Sequence, residues 1–189
     1  MPFDDSSLPP VVAEDAAFLV AKVAGSVLLP GDAGYDDERA VFNLNHELVP
    51  AVIVVPESAA DVQAAVTFAA GQHRPVLVKT TGHQIVGQAH GAVVIATHRM
   101  NDITIDAVSR TARVDAGVLW SEVIAKAAKA GLAPLNGSNP TVGVAGSERT
   151  LAANCGWQPK LENRYRRPSR SRDANCLFCL SFCPAQLMS

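Results

Sequence analysis

The residues best equipped for chemistry lie in one run, Lys79-Thr80-Thr81-Gly82-His83-Gln84, which continues through Gly87 and closes at Gly91. Small hydroxylic residues, glycines, a cation and a histidine together offer exposed backbone N–H groups, tolerance of unusual dihedrals and a positive charge. The combination predicts a cradle for an anion such as a phosphate, with His83 directly after the turn. The other histidines are scattered, without metal-ligand spacing or paired carboxylates, so they predict solvated or locally hydrogen-bonded roles and no metal site.

The apolar runs Pro75–Val78 and Ala92–Ala96 flank this stretch with the length and branching of buried strands. Upstream, Val12, Ala16, Leu19, Val20 and Val23 recur at helical spacing between Val11 and Leu29, with Glu14 and Asp15 in the first turn where the helix dipole favours acids. A turn-rich stretch, Leu29–Asp36, leads to a strand at Ala51–Val55. Ser58 is a good N-cap for the next helix, with Asp61 as the acidic partner of a capping box. Ala60, Val62, Ala65, Val66 and Ala69 give that helix a narrow apolar face ending at Gly71. Ile103–Asp106 and Thr111–Asp115 alternate and predict a β-hairpin, with Asp102, Asp106 and Asp115 solvated at strand ends. A helix from about Ser121 to Ala130 follows, stopped by Gly131, and Trp120 before it is expected in the core. The order is α+β, with helices packed on small β-sheets. No Gly-x-Gly-x-x-Gly opens a helix, which disfavours a nicotinamide-type Rossmann domain.

Lys79-Thr80-Thr81-Gly82-His83 resembles the Arg-x-Gly-Gly-His turn of the flavin-dependent oxidases related to p-cresol methylhydroxylase, vanillyl-alcohol oxidase and berberine bridge enzyme. Asp32, Tyr35, Arg39, Asn43, Pro50 and Pro56 fall into the pattern of the segment that precedes this turn in the same family. A second glycine segment, Asn136–Gly146, is similar to the family's Gly-x-(Cys)-x-x-Val-Gly-x-x-Gly run.

The resemblance implies a PCMH-type FAD-binding domain. The first loop, with Gln84 and Gly87, would wrap the FAD pyrophosphate, and His83 would be the covalent attachment residue. Asn139, Val142, Gly143 and Gly146 would lie along the flavin and ribityl chain. Asn139 stands where doubly attached flavoproteins carry a linking cysteine, so single attachment is expected. The family implies hydride transfer from a substrate C–H bond to flavin, with reoxidation by dioxygen. Two departures bear on affinity: Lys79 gives up the bidentate fork of arginine, and β-branched Thr81 resists the positive φ open to glycine.

The chain of 189 residues, 48% hydrophobic and 18% charged, can bury a sizeable core. Its net charge of −2 gives no drive toward nucleic acid or acidic lipid. The acidic start, Met1-Pro2-Phe3-Asp4-Asp5, lacks the features of a secretory signal, and no run approaches the roughly 18 apolar residues of a membrane span. A cytoplasmic protein acting on a small molecule is expected, with neither nucleic acid nor membrane as partner.

Three segments are predicted: a disordered start with a helix over 1–27, the partial FAD-binding domain over 28–146, and an atypical tail over 147–189, disordered or out of frame. All four cysteines fall in that tail, so disulfides are no framework for the main body. A substrate-binding half is missing from the resemblance, so no catalytic acid or base can be named, and a catalytically inactive, truncated flavin-binding fragment is an alternative. A further alternative is an iron–sulfur electron-transfer protein. Cys176, Cys179 and Cys183 match three positions of a bacterial cluster motif, but Asp173 stands in place of the first cysteine and Cys155 is distant.

Overall fold

A computed structural model describes residues 8–43, 47–83, 90–134, 139–146 and 178–184. The chain forms two compact units, Met1–Arg99 and Met100–Ser189.

The first unit is a four-stranded sheet carrying helices. β1 (Ser26–Leu28) pairs antiparallel with β2 (Val52–Val55), and β2, β4 (Val93–Ala96) and β3 (Val76–Lys79) run parallel in the order β1-β2-β4-β3. Every residue of β2 and β4 is buried, which explains why both read as unbroken apolar runs rather than alternating ones. On one face Val52, Val54, Val93 and Ile95 pack with Leu19, Ala65 and Phe68. On the other, Ile53, Val55 and Val94 pack with Tyr35 and Leu48. β3 and β4 are parallel neighbours, so both end at the same edge of the sheet. The cofactor-like loop therefore leaves from the carboxyl end of β3, the edge at which open α/β sheets bind ligands.

The helix expected between Val11 and Leu29 is shorter. α1 spans Ala13–Val20, with Ala16 and Leu19 buried and Val12 and Val20 exposed. The remainder turns into β1, and the cause is Asp61. Ser58 caps α3 (Ala59–Gly71) as predicted, its hydroxyl accepting the Asp61 N–H at 3.2 Å. The Asp61 carboxylate, however, is not bonded to the Ser58 amide as a capping box requires. It accepts N–H bonds from Ala24 at 3.0 Å, Gly25 at 3.2 Å and Glu57 at 2.9 Å, which draws the chain out of the helix and onto the edge of β2. Burial pushes the Asp61 carboxyl up, but those three amides and the Ser58 hydroxyl outweigh it and hold the group below the usual aspartate range. Gly25 is obligatory there, since a Cβ would lie 2.0 Å from the Val55 carbonyl oxygen.

α3 turns Asp61, Ala65, Phe68 and Ala69 inward and leaves Val66 exposed, so its face is centred differently from the one predicted. Beyond its end the left-handed residue is His73, with φ 52°. Arg74 follows, buried, and its guanidinium donates to the Gly91 carbonyl at 2.9 Å and to the Pro9 carbonyl. The turn-rich stretch contains a short helix, α2 (Tyr35–Arg39). The resembling residues there are structural: the Tyr35 hydroxyl donates to the Pro50 carbonyl at 2.6 Å, Arg39 pairs with Asp36 and Glu47, and Asp32 accepts the Leu29 N–H.

In the second unit β5 (Ile103–Asp106) and β6 (Thr111–Val114) form the predicted antiparallel hairpin. Asp106 is not merely solvated, because its carboxylate accepts the N–H groups of Val108 and Ser109 and shapes the turn. Asp115 likewise accepts the Asp102 N–H at 3.3 Å. α4 (Trp120–Lys129) is followed by Gly131 at φ 67°, the left-handed stop expected. Trp120 is fully buried with Val114, Val118, Val123, Ala127 and Val144. Two strands escaped the sequence: β7 (Leu132–Pro134), and β8 (Phe178–Pro184), which pairs antiparallel with both β6 and β7. The latter lies in the tail for which no regular structure was expected.

Candidate functional site

Lys79 ends β3, and its side chain is buried, with the ammonium donating to the Glu38 backbone carbonyl. Burial pushes its pKa down, and the Glu38 carboxylate partly opposes this. Lys79, expected as a point charge beside a phosphate, is thus a strut joining the end of β3 to α2. Glu38 also faces His98 Nε2 at 3.5 Å.

Thr80 begins the loop and its hydroxyl lies 2.9 Å from that of Thr97, directly after β4. Thr97 Oγ1 also reaches the Lys79 carbonyl at 3.5 Å. The carboxyl ends of two adjacent parallel strands are thereby tied. Gly82 carries the left-handed dihedral, φ 71°, and Thr81 does not, which removes the conflict its β-branch posed. Gly82 also packs against a neighbouring segment: a Cβ would stand 3.3 Å from Val41 Cα, and the Gly82 carbonyl accepts the Phe42 N–H at 3.3 Å.

His83 stacks on Phe42 with ring centroids 4.6 Å apart and planes 12° from parallel, a contact worth about 0.5–1.5 kcal/mol beyond its area. Its Nδ1 lies 2.8 Å from Thr81 Oγ1. Gln84 and Gly87 lie outside the described residues. Phe42, Glu38 and Thr97 were not singled out from sequence as site residues. The Val41-Phe42-Asn43 segment preceding β2 was the one available signal.

The second glycine segment belongs to the second unit. Asn139 Oδ1 accepts the Thr141 N–H at 2.9 Å and its hydroxyl at 2.8 Å. The Val142 carbonyl accepts the Trp120 N–H at 3.1 Å, Gly143 bridges Leu119, and the Val144 N–H donates to Val118. Val142 and Gly143 are thus stitched to the start of α4, and Asn139 is tied to the same segment through Thr141 and the Val142 N–H. Gly146 has open space where a Cβ would stand, so no described neighbour demands a glycine there.

The family model for an FAD binding domain matches residues 50–161. The chain belongs to the FAD-binding domain family. This flavin domain is 34% identical over 136 residues to (R)-6-hydroxynicotine oxidase of Paenarthrobacter nicotinovorans, an alignment covering 71% of this chain and 29% of that protein. It is 42% identical over 78 residues to an uncharacterized oxidoreductase of Rhodococcoides fascians, covering 40% of this chain and 18% of that protein. Among solved structures it resembles 6-hydroxy-D-nicotine oxidase from Arthrobacter nicotinovorans, with TM-score 0.60 and 31% identity over 64% of this chain and 27% of that one. It also resembles BBE-like 1 of Physcomitrella patens, with TM-score 0.63 and 26% identity over 69% and 29%. The flavin domain thus has the α+β fold of the p-cresol methylhydroxylase and berberine bridge enzyme group, FAD is the family's cofactor, and the chain spans about 29% of the first of these relatives.

The residues present fit that cofactor. The first loop leaves the carboxyl edge of a parallel sheet with a left-handed glycine at Gly82, whose neighbour Val41 leaves little room for a Cβ. Among the described residues no cluster of His, Cys, Asp or Glu could hold a metal, and no helix is long and apolar enough to cross a membrane. Cys155 and Cys176 lie outside the described residues. Cys179 and Cys183 fall on β8.

Proposed function

We propose that this flavin domain is the FAD-binding portion of an oxidoreductase and that it holds FAD covalently through His83. The observation that carries this is the fixed imidazole. His83 stands at the mouth of the loop, stacked on Phe42 and bonded to Thr81, on a turn anchored at both parallel strand ends. Bound FAD would accept a hydride from a substrate C–H bond and be reoxidised by dioxygen. The backbone amides of Thr80, Thr81 and Gly82 would bond the pyrophosphate oxygens, with about 1.5–3 kcal/mol for each charge-assisted bond. Lys79 would act by holding the start of the loop rather than by facing the phosphates. Gln84 and Gly87 would extend the cradle. Asn139, Val142, Gly143 and Gly146 would line the flavin and ribityl chain, and Asn139 limits attachment to one bond. The substrate is a small molecule whose C–H bond is oxidised, and the protein acts in the cytoplasm without nucleic acid or membrane.

The test is an absorbance spectrum before and after acid precipitation, with mass spectrometry of the pellet. Flavin absorbance that stays with the chain, and a mass increase mapping to His83, are expected. A protein that remains colourless when supplied with FAD sinks the proposal. Yellow protein that dithionite reduces but no substrate bleaches would separate flavin binding from turnover.

A further inference from the structure

The ladder between β3 and β4 ends with Lys79 opposite Ala96. Thr80 and Thr97 stand one step beyond, where the chain leaves the sheet, and their hydroxyl oxygens lie 2.9 Å apart. Thr97 is 2% exposed and follows a strand that is wholly apolar and buried. A hydroxyl in such a place costs free energy unless it is bonded, and this one is directed at the start of the loop, at Thr80 and at the Lys79 carbonyl 3.5 Å away. A second path joins the same two strand ends. The Lys79 ammonium donates to the Glu38 carbonyl, and the Glu38 carboxylate faces Nε2 of His98, the residue after Thr97. The contacts close a ring around the point at which the chain departs.

Hydrogen bonds weaken steeply with misalignment, so what the amides of Thr80, Thr81 and Gly82 contribute to a pyrophosphate depends on the angle at which the loop leaves β3. We propose that Thr97 is a positioning residue for cofactor binding: through the Thr80 hydroxyl it fixes that departure and aims the amides before FAD arrives. Whichever of the two hydroxyls donates, the tie is the same. The inference rests on the loop being the pyrophosphate cradle, and one of its two readouts needs no cofactor, so that either idea can fail alone.

The first readout is amide hydrogen exchange in the full cofactor-free chain. The Phe42 N–H donates to the Gly82 carbonyl at 3.3 Å, so its exchange reports whether the loop stays in place. Thr97→Val should speed exchange at Phe42 about tenfold, and by more than at Val94 and Ile95, whose buried strand follows global unfolding. Thr97→Ser should restore the wild-type rate. Thr80→Ala breaks the same contact from its more exposed side and should act alike, with the double variant no worse than either single change. The second readout is reversible FAD binding in a His83→Ala background. There Thr97→Val should raise the Kd about tenfold, the worth of one misaimed charge-assisted bond, and Thr97→Ser should leave it unchanged. A Phe42 response no larger than that at Val94 and Ile95, additive losses in the double variant, or a Kd indifferent to Thr97→Val overturns the proposal. A chain that takes up no FAD removes the cradle reading, and Phe42 exchange then decides alone whether Thr97 anchors the loop.

Discussion

Two buried charges behave differently at the scale of single residues, and both yield tests. Asp61 receives three backbone N–H bonds from two separate segments, so Asp61→Ala leaves those donors unmatched and should destabilise by about 3 kcal/mol or more in chemical denaturation. Its carboxyl is held below the ordinary aspartate value of about 4, so the unfolded chain binds the proton more readily. The stabilisation is therefore complete above that value and disappears as pH falls through the lower native one. Asp61→Asn should be less stable at neutral pH and show a flatter acid limb in a melting series, and an unchanged slope would exclude this carboxylate as its source. Lys79 spends its ammonium on the Glu38 carbonyl. In a His83→Ala background, where FAD can bind only reversibly, Lys79→Met should thus weaken FAD binding through a looser loop while the salt dependence of the Kd stays unchanged. A reduced salt dependence would return Lys79 to the phosphates.

At the scale of elements, the junction of β1 with β2 is the strictest packing constraint in the first unit. Gly25→Ala would drive a methyl group into the Val55 carbonyl, a backbone atom with nowhere to go, and should cost more than about 4 kcal/mol in urea unfolding. A loss under about 1 kcal/mol would mean that β1 can leave the sheet freely. The same junction shows what the sequence could and could not convey. β2, β4, the β5–β6 hairpin, α3 and α4 were legible because their apolar periods are set by burial along one element. β1 was read as helix because Ser26-Val27-Leu28 is too short for a period, and its conformation comes from a carboxylate 36 residues away, at Asp61. In the loop, the left-handed turn at Gly82 was legible from local chemistry. Phe42, Glu38 and Thr97 reach the loop through tertiary contacts that no spacing encodes, and the burial of Lys79 against the Glu38 carbonyl was not legible because a lysine's burial is decided by its neighbours.

At the scale of the whole molecule, each unit has its own core, one around β2 and β4 and one around Trp120. Hydrogen exchange should find the slowest amides of the first unit in β2 and β4, with those of β3 faster, since β3 is an edge strand whose Val76 and Val78 are exposed. Equal protection across the sheet would imply that the outer edge of β3 is covered. Membership of the FAD-binding domain family is written along much of the chain, from residue 50 to residue 161.

Arg74 connects two places that sequence keeps far apart, since one guanidinium holds both the incoming chain at Pro9 and the returning limb of the glycine loop at Gly91. Handling of the amino terminus therefore reaches the cofactor loop. A purification tag that strains residues 8–10, or a protease that trims them, would release one of the two carbonyls that hold the guanidinium. Preparations differing only at that end would differ in how readily they take up flavin.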